Sequence, residues 1–319
     1  MLIENFKMEE IFEAKEFAKA IKEKKDEVFF IGQDKYTALV SRKKKVPFLG
    51  KISSRTQIYT SAKDEKFLEK VLEKMKQDGV TYSRIGNTMF GLKNKPNFVL
   101  DGLNFIERFT FVLDLKKSKD ELWNKLDKKS RNAVRKAEKE GIIVKKIEDE
   151  EELNEYYRLA LLNEKRISKK RSSFMLNPKS FFEYVFKEMV SKKMATFFIA
   201  KDENRIIAGA LFFHTGKKII YYHGCSLREY SNKQAPSKIQ WESILYAKKE
   251  KYEIYDFGGC TPNLTDKDSR FFVYEYKRKW GGKLVSFYNI EYIPNKLYYF
   301  IQNNLLIKPF LFLRKIRNI

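Results

Sequence analysis

The stretch YDFGGCTPNLTDKDSRFFVYEYKRKWGG, residues 255–282, decides how the rest of the chain is interpreted. It predicts a buried strand that ends at Phe257, a turn at Gly258 and Gly259, a polar loop, and a short helix that stops at Gly281. Two glycines directly after a strand permit a positive φ or the close approach of another group.

The predicted helix carries an aromatic row with one lysine, Lys277, beside it. A lysine next to several rings is expected to lose part of its hydration. The alternative is a helix closed by glycine whose lysine extends its ammonium group into solvent. The rings are Phe271, Phe272, Tyr274 and Tyr276.

Length and charge bound the class of protein. The chain has 319 residues, which predicts about two domains, and 43% hydrophobic residues, enough to form real cores. Its 65 Lys and Arg against 42 Asp and Glu give a formal net charge of +23. Such an excess suits nucleic acid, phosphorylated substrates or an anionic membrane, although general lysine enrichment of the surface is an alternative.

Cysteine and histidine usage argues against several chemistries. Cys225 and Cys260 lack metal-type spacing and predict a reducing compartment without disulfides. With only His214 and His223 in the chain, we expect neither a zinc site nor a Ser–His triad, and we predict no metal and no cofactor. The acidic N-terminus lacks a signal-peptide core, and no apolar run approaches the ~20 residues of a membrane span, so we expect a cytoplasmic protein.

Around the quoted stretch, residues 106–293 are predicted to form strands and helices in mixed order. Three strands between Ala195 and Cys225 are joined by short turns, which predicts an antiparallel meander. A helix then leads to the strand Ile254–Phe257, which predicts one parallel neighbour in a mixed sheet. The first half shows a shorter version of the same alternation. We predict an α/β fold with domains at 1–105 and 106–293.

Three basic segments are candidates for anion binding. A capping box at Ser118 and Glu121 predicts one helix that stops at Gly141 and whose basic residues include Lys128, Arg131, Arg135 and Lys136. These are candidates for gripping a polyanion, or the region is a solvated surface helix. KRISKKRSS, residues 165–173, predicts a basic loop between two helices. The run from Arg42 to Lys45 predicts either a phosphate contact or a solvated loop, and we favour the loop.

Residues 294–319 are aromatic and basic and contain no acidic residue. They predict a C-terminal helix that either lies in a membrane interface or packs against the first domain.

Residues 108–292 resemble the Fem family (FemABX) of peptidyltransferases in three motifs. The first is the basic helix LWNKLDKKSRNAVRKAEKEG, and the second is YYHGCSLREY followed by APSKIQWESILYAKKEKY and YDFGG. The third, YEYKRKWGG, is similar to the family pattern of an aromatic residue and lysine before Gly-Gly. The resemblance implies two tandem acetyltransferase-like (GNAT) domains, with the substrate cleft in the second.

The resemblance also implies a donor, an acceptor and site residues. The donor would be aminoacyl-tRNA and the acceptor an amine of an anionic, lipid-linked or nucleotide-linked cell-wall precursor, handled in the cytoplasm or peripherally at the inner face of the membrane. Lys277 would stabilise the oxyanion beside Tyr276, with Asp256 as a weaker candidate for accepting a proton. The substrate-binding candidates are Arg166, Arg171, Tyr222, Arg228, Lys238, Gly258 and Gly259, and the tRNA-binding candidates are Lys128, Arg131, Arg135 and Lys136.

Two alternatives stay open. The loop SLREYSNKQAPS has no glycine, unlike the loop that holds the pyrophosphate of coenzyme A in ordinary acetyltransferases. This argues against an N-acyltransferase that uses acyl-CoA or an acyl carrier outside peptidoglycan synthesis. The second alternative is a non-catalytic nucleic-acid-binding protein on the same scaffold. Binding of nucleic acid does not require a lysine among aromatic rings, so this alternative does not explain Lys277.

Overall fold

A computed structural model of the chain describes residues 14–33, 36–44, 54–60, 64–87, 91–171, 176–268, 270–307 and 309. Among these, Phe109–Val285 form one compact unit, here called the central unit. The described residues before Phe109 and after Val285 form a second one, the flanking unit.

The flanking unit is a mixed sheet with a helix on it. Strands β1, β2 and β3 form an antiparallel meander, and helix α2 leads to β4, which runs parallel to β3. The end of β11 then pairs antiparallel with β4. Apolar positions of α2 pack on these strands and form the core of this unit. The bounds are α1 Lys15–Lys22, β1 Glu27–Gln33, β2 Tyr36–Lys44, β3 Ser54–Tyr59, α2 Glu65–Gln77, β4 Tyr82–Ile85 and β11 Lys283–Tyr292.

Two features of this unit differ from the sequence-based expectation. Strand β3 was not predicted, because its sequence SRTQIY holds only two large apolar side chains. The predicted solvated loop at Arg42 to Lys45 is wrong for Arg42–Lys44, which belong to β2. Arg42 is 6% exposed and forms an ion pair of 2.6 Å with Asp78, and residues 45–50 lie outside the described residues.

The central unit repeats that arrangement on a larger scale. Strands β7, β8 and β9 form the predicted antiparallel meander, helix α7 leads to β10 parallel to β9, and β5 pairs antiparallel with β10. The bounds are β5 Leu103–Asp114, α3 Lys119–Lys125, α4 Lys128–Lys139, β6 Ile143–Lys146, α5 Glu150–Arg171, α6 Lys179–Tyr184, β7 Ala195–Asp202, β8 Arg205–Thr215, β9 Lys218–Ser226, α7 Ala235–Lys249, β10 Ile254–Cys260 and α8 Phe271–Arg278.

Helices cover both faces of the central sheet. Neighbouring residues of β7 show this, because successive side chains of a strand point to opposite faces. Phe197 meets Tyr156 of α5 edge to face at 5.3 Å, whereas Phe198 meets Tyr246 of α7 at 5.4 Å. The apolar runs of β7 and β8 are therefore buried on both sides.

The shared order of meander, helix, parallel strand and antiparallel neighbour confirms the predicted fold, a mixed α/β protein built from two acetyltransferase-like units. Two parts of the prediction are wrong. The single helix expected from Ser118 to Gly141 is interrupted at Leu126, where the backbone is extended, so that α3 and α4 are separate helices. The basic loop expected at 165–173 is helical through Arg171, because no glycine or proline interrupts α5 there. Residues 172–175 lie outside the described residues.

The C-terminal segment packs on the flanking unit, one of its two predicted alternatives. Helix α9, Lys296–Ile301, continues as a wider turn over Gln302–Ile307. The ring of Tyr299 stacks on Tyr82 with centroids 5.9 Å apart, and the guanidinium of Arg55 lies 5.4 Å from both ring centroids. Within the described residues, no helix has the length and apolar character that crossing a membrane requires.

Candidate active site

The site begins with a bulge at the end of β10. Asp256 pairs with Val112 of β5, and Gly259 pairs with Thr110, so β10 holds one residue more than β5 in this interval. Gly258 takes a positive φ of 72°, a conformation that favours glycine. The bulge, here called the glycine turn (Gly258 and Gly259), turns two backbone carbonyl groups toward helix α8.

Lys277 of α8 reaches this turn with its ammonium group. Its Nζ donates to the carbonyl oxygen of Gly258 at 2.9 Å and to that of Gly259 at 2.8 Å. The residue is only 8% exposed, so the ammonium is directed inward and does not extend into solvent. An ammonium carries three donors. Among the described residues these two carbonyl groups take two of them, which leaves one for a substrate.

Burial lowers the pKa of Lys277 to about 8, while Cys260 and Asp256 act weakly in the opposite direction. At neutral pH the side chain is therefore still mostly protonated, but its charge is poorly solvated. A cation of this kind interacts strongly with negative charge that forms next to it.

Asp256 holds the glycine turn from beneath. Its Oδ1 accepts from Thr110 Oγ1 at 2.6 Å and from the backbone nitrogen of Gly258 at 2.8 Å. Its Oδ2 accepts from Lys218 Nζ at 3.1 Å, and both side chains of this ion pair are 2% exposed. A carboxylate that is buried, paired and bonded at both oxygens does not fit the proton-accepting role predicted for it. The geometry fits an anchor for the turn.

Tyr276 forms one wall of a pocket of about 240 Å³ in the central unit. Strands β9 and β10 pair only from Lys218 to Ile220, and beyond that point β9 and β8 contribute lining residues together with α5 and α7. The Tyr276 hydroxyl donates to the carbonyl oxygen of Pro236 at 3.3 Å, and burial raises the pKa of its phenol well above the usual value. We call this cavity the Tyr276 pocket.

The predicted anion-binding residues fall into different places. Arg166 is exposed, donates to Asn163 at 2.8 Å, and so lies beside a residue that lines the Tyr276 pocket. Arg228 is exposed directly after β9. Lys238, in contrast, forms ion pairs of 2.8 Å with both Glu138 and Glu242.

Two further candidates are not brought to the pocket. The ring of Tyr222 packs on Phe213 at 4.6 Å, and its hydroxyl accepts from Asn177 at 3.0 Å, away from the residues that line the pocket. The side chain of Arg171 lies outside the described residues.

The four tRNA-binding candidates all lie on α4, but their environments differ. Lys128 and Lys136 are exposed. Arg131 donates to the backbone carbonyl groups of Asn124, at 3.1 Å, and Leu126, and so caps the end of α3. The guanidinium of Arg135 lies over the ring of Trp123 at 5.5 Å. Arg131 therefore has a structural task that the charge pattern alone does not reveal.

Three residues of this region were missed by reasoning from the sequence, namely Thr110, Lys218 and Tyr221. Thr110 and Lys218 lie within strands whose sequences show no sign of a functional residue. Only the pairing of β5, β9 and β10 brings them to Asp256. The one available signal was a lysine directly before two isoleucines at the start of the strand KIIYYHGCS.

Neither histidine is placed to act as a base at neutral pH. Burial lowers the pKa of both His214 and His223 to about 4. His223 is hydrogen-bonded to the Tyr156 hydroxyl at 2.7 Å, and His214 to the carbonyl oxygen of Lys193 at 2.9 Å. Within the described residues, no cluster of three or more His, Cys, Asp or Glu side chains is arranged to hold a metal ion.

A fold of two acetyltransferase-like units, with a buried lysine at a glycine turn, defines the class of protein. The model of the FemAB family matches residues 102–201 and 187–305, which is more than half of the chain, and the chain belongs to this family.

Relatives of known name are similar over part of their length. A protein named Lipid II:glycine glycyltransferase from Staphylococcus saprophyticus is 35% identical over 128 residues, 39% of this chain and 30% of the relative. A protein of the same name from Staphylococcus aureus is 25% identical over 279 residues, 66% of this chain and 64% of the relative. The chain thus spans less than two thirds of these relatives.

Solved structures agree on the fold. A crystal structure of FemX has a TM-score of 0.68 at 17% identity and covers 94% of this chain and 96% of its own. The structure of L-PGS from Bacillus licheniformis has a TM-score of 0.58 at 14% identity, with 88% of each chain covered. At these identities the similarity concerns the fold alone.

Proposed function

We propose that this protein is an aminoacyltransferase that moves an amino acid from aminoacyl-tRNA to an amine of a lipid-linked peptidoglycan precursor. The observation that carries the proposal is the buried ammonium of Lys277 at the glycine turn, in a chain of the FemAB family. The relatives named Lipid II:glycine glycyltransferase support the class of acceptor.

The proposed reaction uses this charge in one step. The acceptor amine attacks the carbonyl carbon of the aminoacyl ester, a C–N bond forms, and negative charge develops on the carbonyl oxygen. Lys277 stabilises that oxygen with its remaining donor. The C–O bond of the ester then breaks, and the departing ribose oxygen takes up the proton that the amine releases, directly or through water. We assign Asp256 no share in this transfer, because its oxygens are occupied.

The proposed donor, aminoacyl-tRNA, is inferred from the positive charge of the protein. Lys128 and Lys136 are exposed on α4, and the chain as a whole carries a formal net charge of +23. Exposed lysines contact phosphates without reading sequence, which suits a protein that handles the acceptor end of a tRNA. Arg166 and Arg228 are exposed and lie within three residues of Asn163 and Ser226, which line the Tyr276 pocket; they are the proposed contacts for the diphosphate of the acceptor.

A lipid-linked acceptor places the reaction at the inner face of a membrane, and α9 offers a contact surface for it. While Tyr299 is held against the flanking unit, Leu297 and Phe300 of α9 are 70% and 64% exposed, and Leu305 in the wider turn that follows is 68% exposed. The sequence from residue 294 onward contains basic residues and no acidic one. We propose that this apolar face and its positive charge hold the protein on an anionic bilayer.

The test is transfer with defined components. The purified chain is incubated with a mixed pool of aminoacyl-tRNAs and with lipid-linked and nucleotide-linked precursors, and the products are analysed by mass spectrometry. We expect a precursor heavier by one aminoacyl residue, which disappears when the tRNA is deacylated beforehand. Transfer from acyl-CoA in the absence of tRNA would contradict the proposed donor.

A further inference from the structure

One buried charge of the central unit has no part in the proposed reaction. Lys218 lies at the start of β9, and its Nζ donates to Asp256 Oδ2 at 3.1 Å, with both side chains 2% exposed. Taking an ammonium and a carboxylate out of water is costly, and apolar residues of similar volume often stabilise a fold as well as such a pair does. Stability alone is therefore a weak reason for a lysine at this position.

Asp256 and Lys277 contact the same residue of the glycine turn. Asp256 Oδ1 accepts from the backbone nitrogen of Gly258 at 2.8 Å, and Lys277 Nζ donates to the carbonyl oxygen of Gly258 at 2.9 Å. The hydroxyl of Thr110 is within 2.6 Å of the carboxylate and 2.9 Å of that carbonyl oxygen. The two charges are close enough to interact. Burial lowers the pKa of Lys277, whereas Cys260 and Asp256 act in the opposite direction.

Without Lys218, the Asp256 carboxylate would be a buried charge without its counter-ion, which is strongly unfavourable. The cation that shares the glycine turn with it is Lys277. Among the described residues, two carbonyl groups take two of the three donors of the Lys277 ammonium. Pairing with Asp256 would divert the third donor from the substrate. It would also stabilise the ammonium in the ground state, which reduces the gain in the transition state.

We propose that Lys218 is a positioning residue for the transfer reaction, because its ammonium pairs with the Asp256 carboxylate and thereby keeps the third donor of Lys277 available for the oxyanion. This rests on the proposed function. In this arrangement Asp256 binds the glycine turn through Oδ1, while Oδ2 is held by Lys218. The two buried lysines thus have different tasks, since one neutralises the anchor of the turn and the other acts on the substrate.

The test removes the charges of this ion pair singly and together. Lys218→Met removes the ammonium and keeps a long apolar side chain. The double variant Lys218→Met with Asp256→Asn removes both charges, and its asparagine keeps one oxygen that can accept from Thr110 and Gly258. Lys217→Met is the matched control, because the neighbouring Lys217 is 60% exposed. Single-turnover transfer from the aminoacyl-tRNA pool to the lipid-linked precursor is measured between pH 6 and 10, and thermal unfolding checks that each variant folds.

We expect Lys218→Met to lower the transfer rate at neutral pH about tenfold, less than complete loss of an oxyanion donor would, because the donor is diverted and not removed. The rate should fall at alkaline pH where Lys277 loses its proton, and in Lys218→Met this fall should move to higher pH, because the unpaired carboxylate favours the charged lysine.

The double variant should transfer within about threefold of the wild-type rate, because no carboxylate is left to occupy Lys277, so that the second substitution reverses the effect of the first. Its alkaline fall should not lie above that of the wild type. Lys217→Met should match the wild type in both rate and pH dependence.

A folded double variant as slow as Lys218→Met, or an alkaline fall in Lys218→Met at the same pH as in the wild type, would overturn the role of Lys218 and make the ion pair structural. If Lys218→Met does not fold, the double variant decides, because loss of transfer by a folded double variant contradicts the proposal and retained transfer supports it. Absence of transfer by the wild type from every aminoacyl-tRNA would instead contradict the proposed function itself.

Discussion

Lys277 carries its charge into a place where water is scarce, and burial accordingly lowers its pKa to about 8. The two carbonyl groups of the glycine turn replace part of the lost hydration. Carbonyl groups are neutral, and the Asp256 carboxylate beneath the turn is already paired with Lys218, so the ammonium is in direct contact with no full negative charge among the described residues until one develops on a substrate. Its stabilising effect is therefore expected mainly in the transition state.

A pH dependence follows from this pKa. Stabilisation of the oxyanion needs the protonated lysine, so the transfer rate should fall as pH rises through about 8. On the acidic side the rate should rise with pH, because the attacking amine must lose its proton. Single-turnover rates between pH 5.5 and 10 would show both limbs. A rate that keeps rising to pH 10 would mean that the charge on Lys277 is not needed.

Thr110 is predicted to position the site from outside it. Thr110→Val removes the hydroxyl that bonds to Asp256 at 2.6 Å and keeps the shape of the side chain, whereas Thr110→Ser keeps the hydroxyl. A buried hydrogen bond worth about 1.4 kcal/mol corresponds to about tenfold in rate if its removal is expressed in the site. We expect this loss for valine and a nearly unchanged rate for serine.

The fall of the transfer rate at alkaline pH distinguishes a positioning role of Thr110 from a purely structural one. A loosened glycine turn admits water to Lys277 and should move the limb above pH 8 in the valine variant. If Thr110→Val lowers the unfolding temperature but leaves both the rate and the limb unchanged, Thr110 is only structural.

At the scale of elements, helix α4 divides its basic residues between two tasks. The double variant Lys128→Ala with Lys136→Ala should weaken tRNA binding and make it less salt-dependent, by about 0.7–0.9 in the logarithmic slope for each phosphate that the protein no longer neutralises. Arg131→Ala should instead lower the unfolding temperature, because it leaves carbonyl groups at the end of α3 without their donor. Filter binding at 50 to 300 mM salt and thermal unfolding measure these two effects.

For the α4 prediction, the double lysine variant and Arg131→Ala serve as controls for each other. If Arg131→Ala changes tRNA binding as strongly as the double lysine variant and leaves stability unchanged, the assignment of the two tasks is reversed.

Much of the fold of the central unit follows from its sequence. Short turns between apolar strands predict the meander, and the glycines at 258 and 259 predict where β10 turns. Lys277 could be singled out because it lies beside an aromatic row on one short helix. Strand β3 and the continuation of α5 were missed, since polar strands and basic helical ends give a weak periodic signal.

The partners of Asp256 could not be predicted. Thr110, Lys218 and Asp256 are far apart in the sequence, and their meeting depends on the order of β5, β10 and β9 in the sheet. The sequence shows an aspartate before two glycines, and a turn-capping or catalytic carboxylate looks the same at that level. The hydrogen bonds from Thr110 and Gly258, together with the ion pair with Lys218, separate these roles.

At the scale of the whole molecule, membrane association is predicted to depend on the exposed face of α9. Deleting residues 295–319 would also remove Tyr299 from its stack with Tyr82, so point variants give a clearer test than truncation. Leu297→Asp with Phe300→Asp should release the protein from vesicles that contain phosphatidylglycerol. Val99→Asp, at a flanking-unit residue that is 91% exposed, is the control and should bind like the wild type.

Co-sedimentation with anionic and with neutral vesicles measures this effect, and circular dichroism checks the fold. Unchanged binding of the double α9 variant to anionic vesicles would remove α9 from the contact surface.

The measurement that tests the central claim most directly is single-turnover transfer by Lys277→Ala, together with binding of tRNA and acceptor. Loss of one oxyanion donor lowers such rates by about 10²–10³. We expect that loss with both substrates still bound, poor rescue by Lys277→Arg because a planar guanidinium does not replace a compact ammonium, and a normal rate for the neighbouring Lys279→Ala. Transfer at the wild-type rate by Lys277→Ala would contradict the catalytic assignment, and abolished acceptor binding with an unchanged chemical step would make Lys277 a phosphate-binding residue instead.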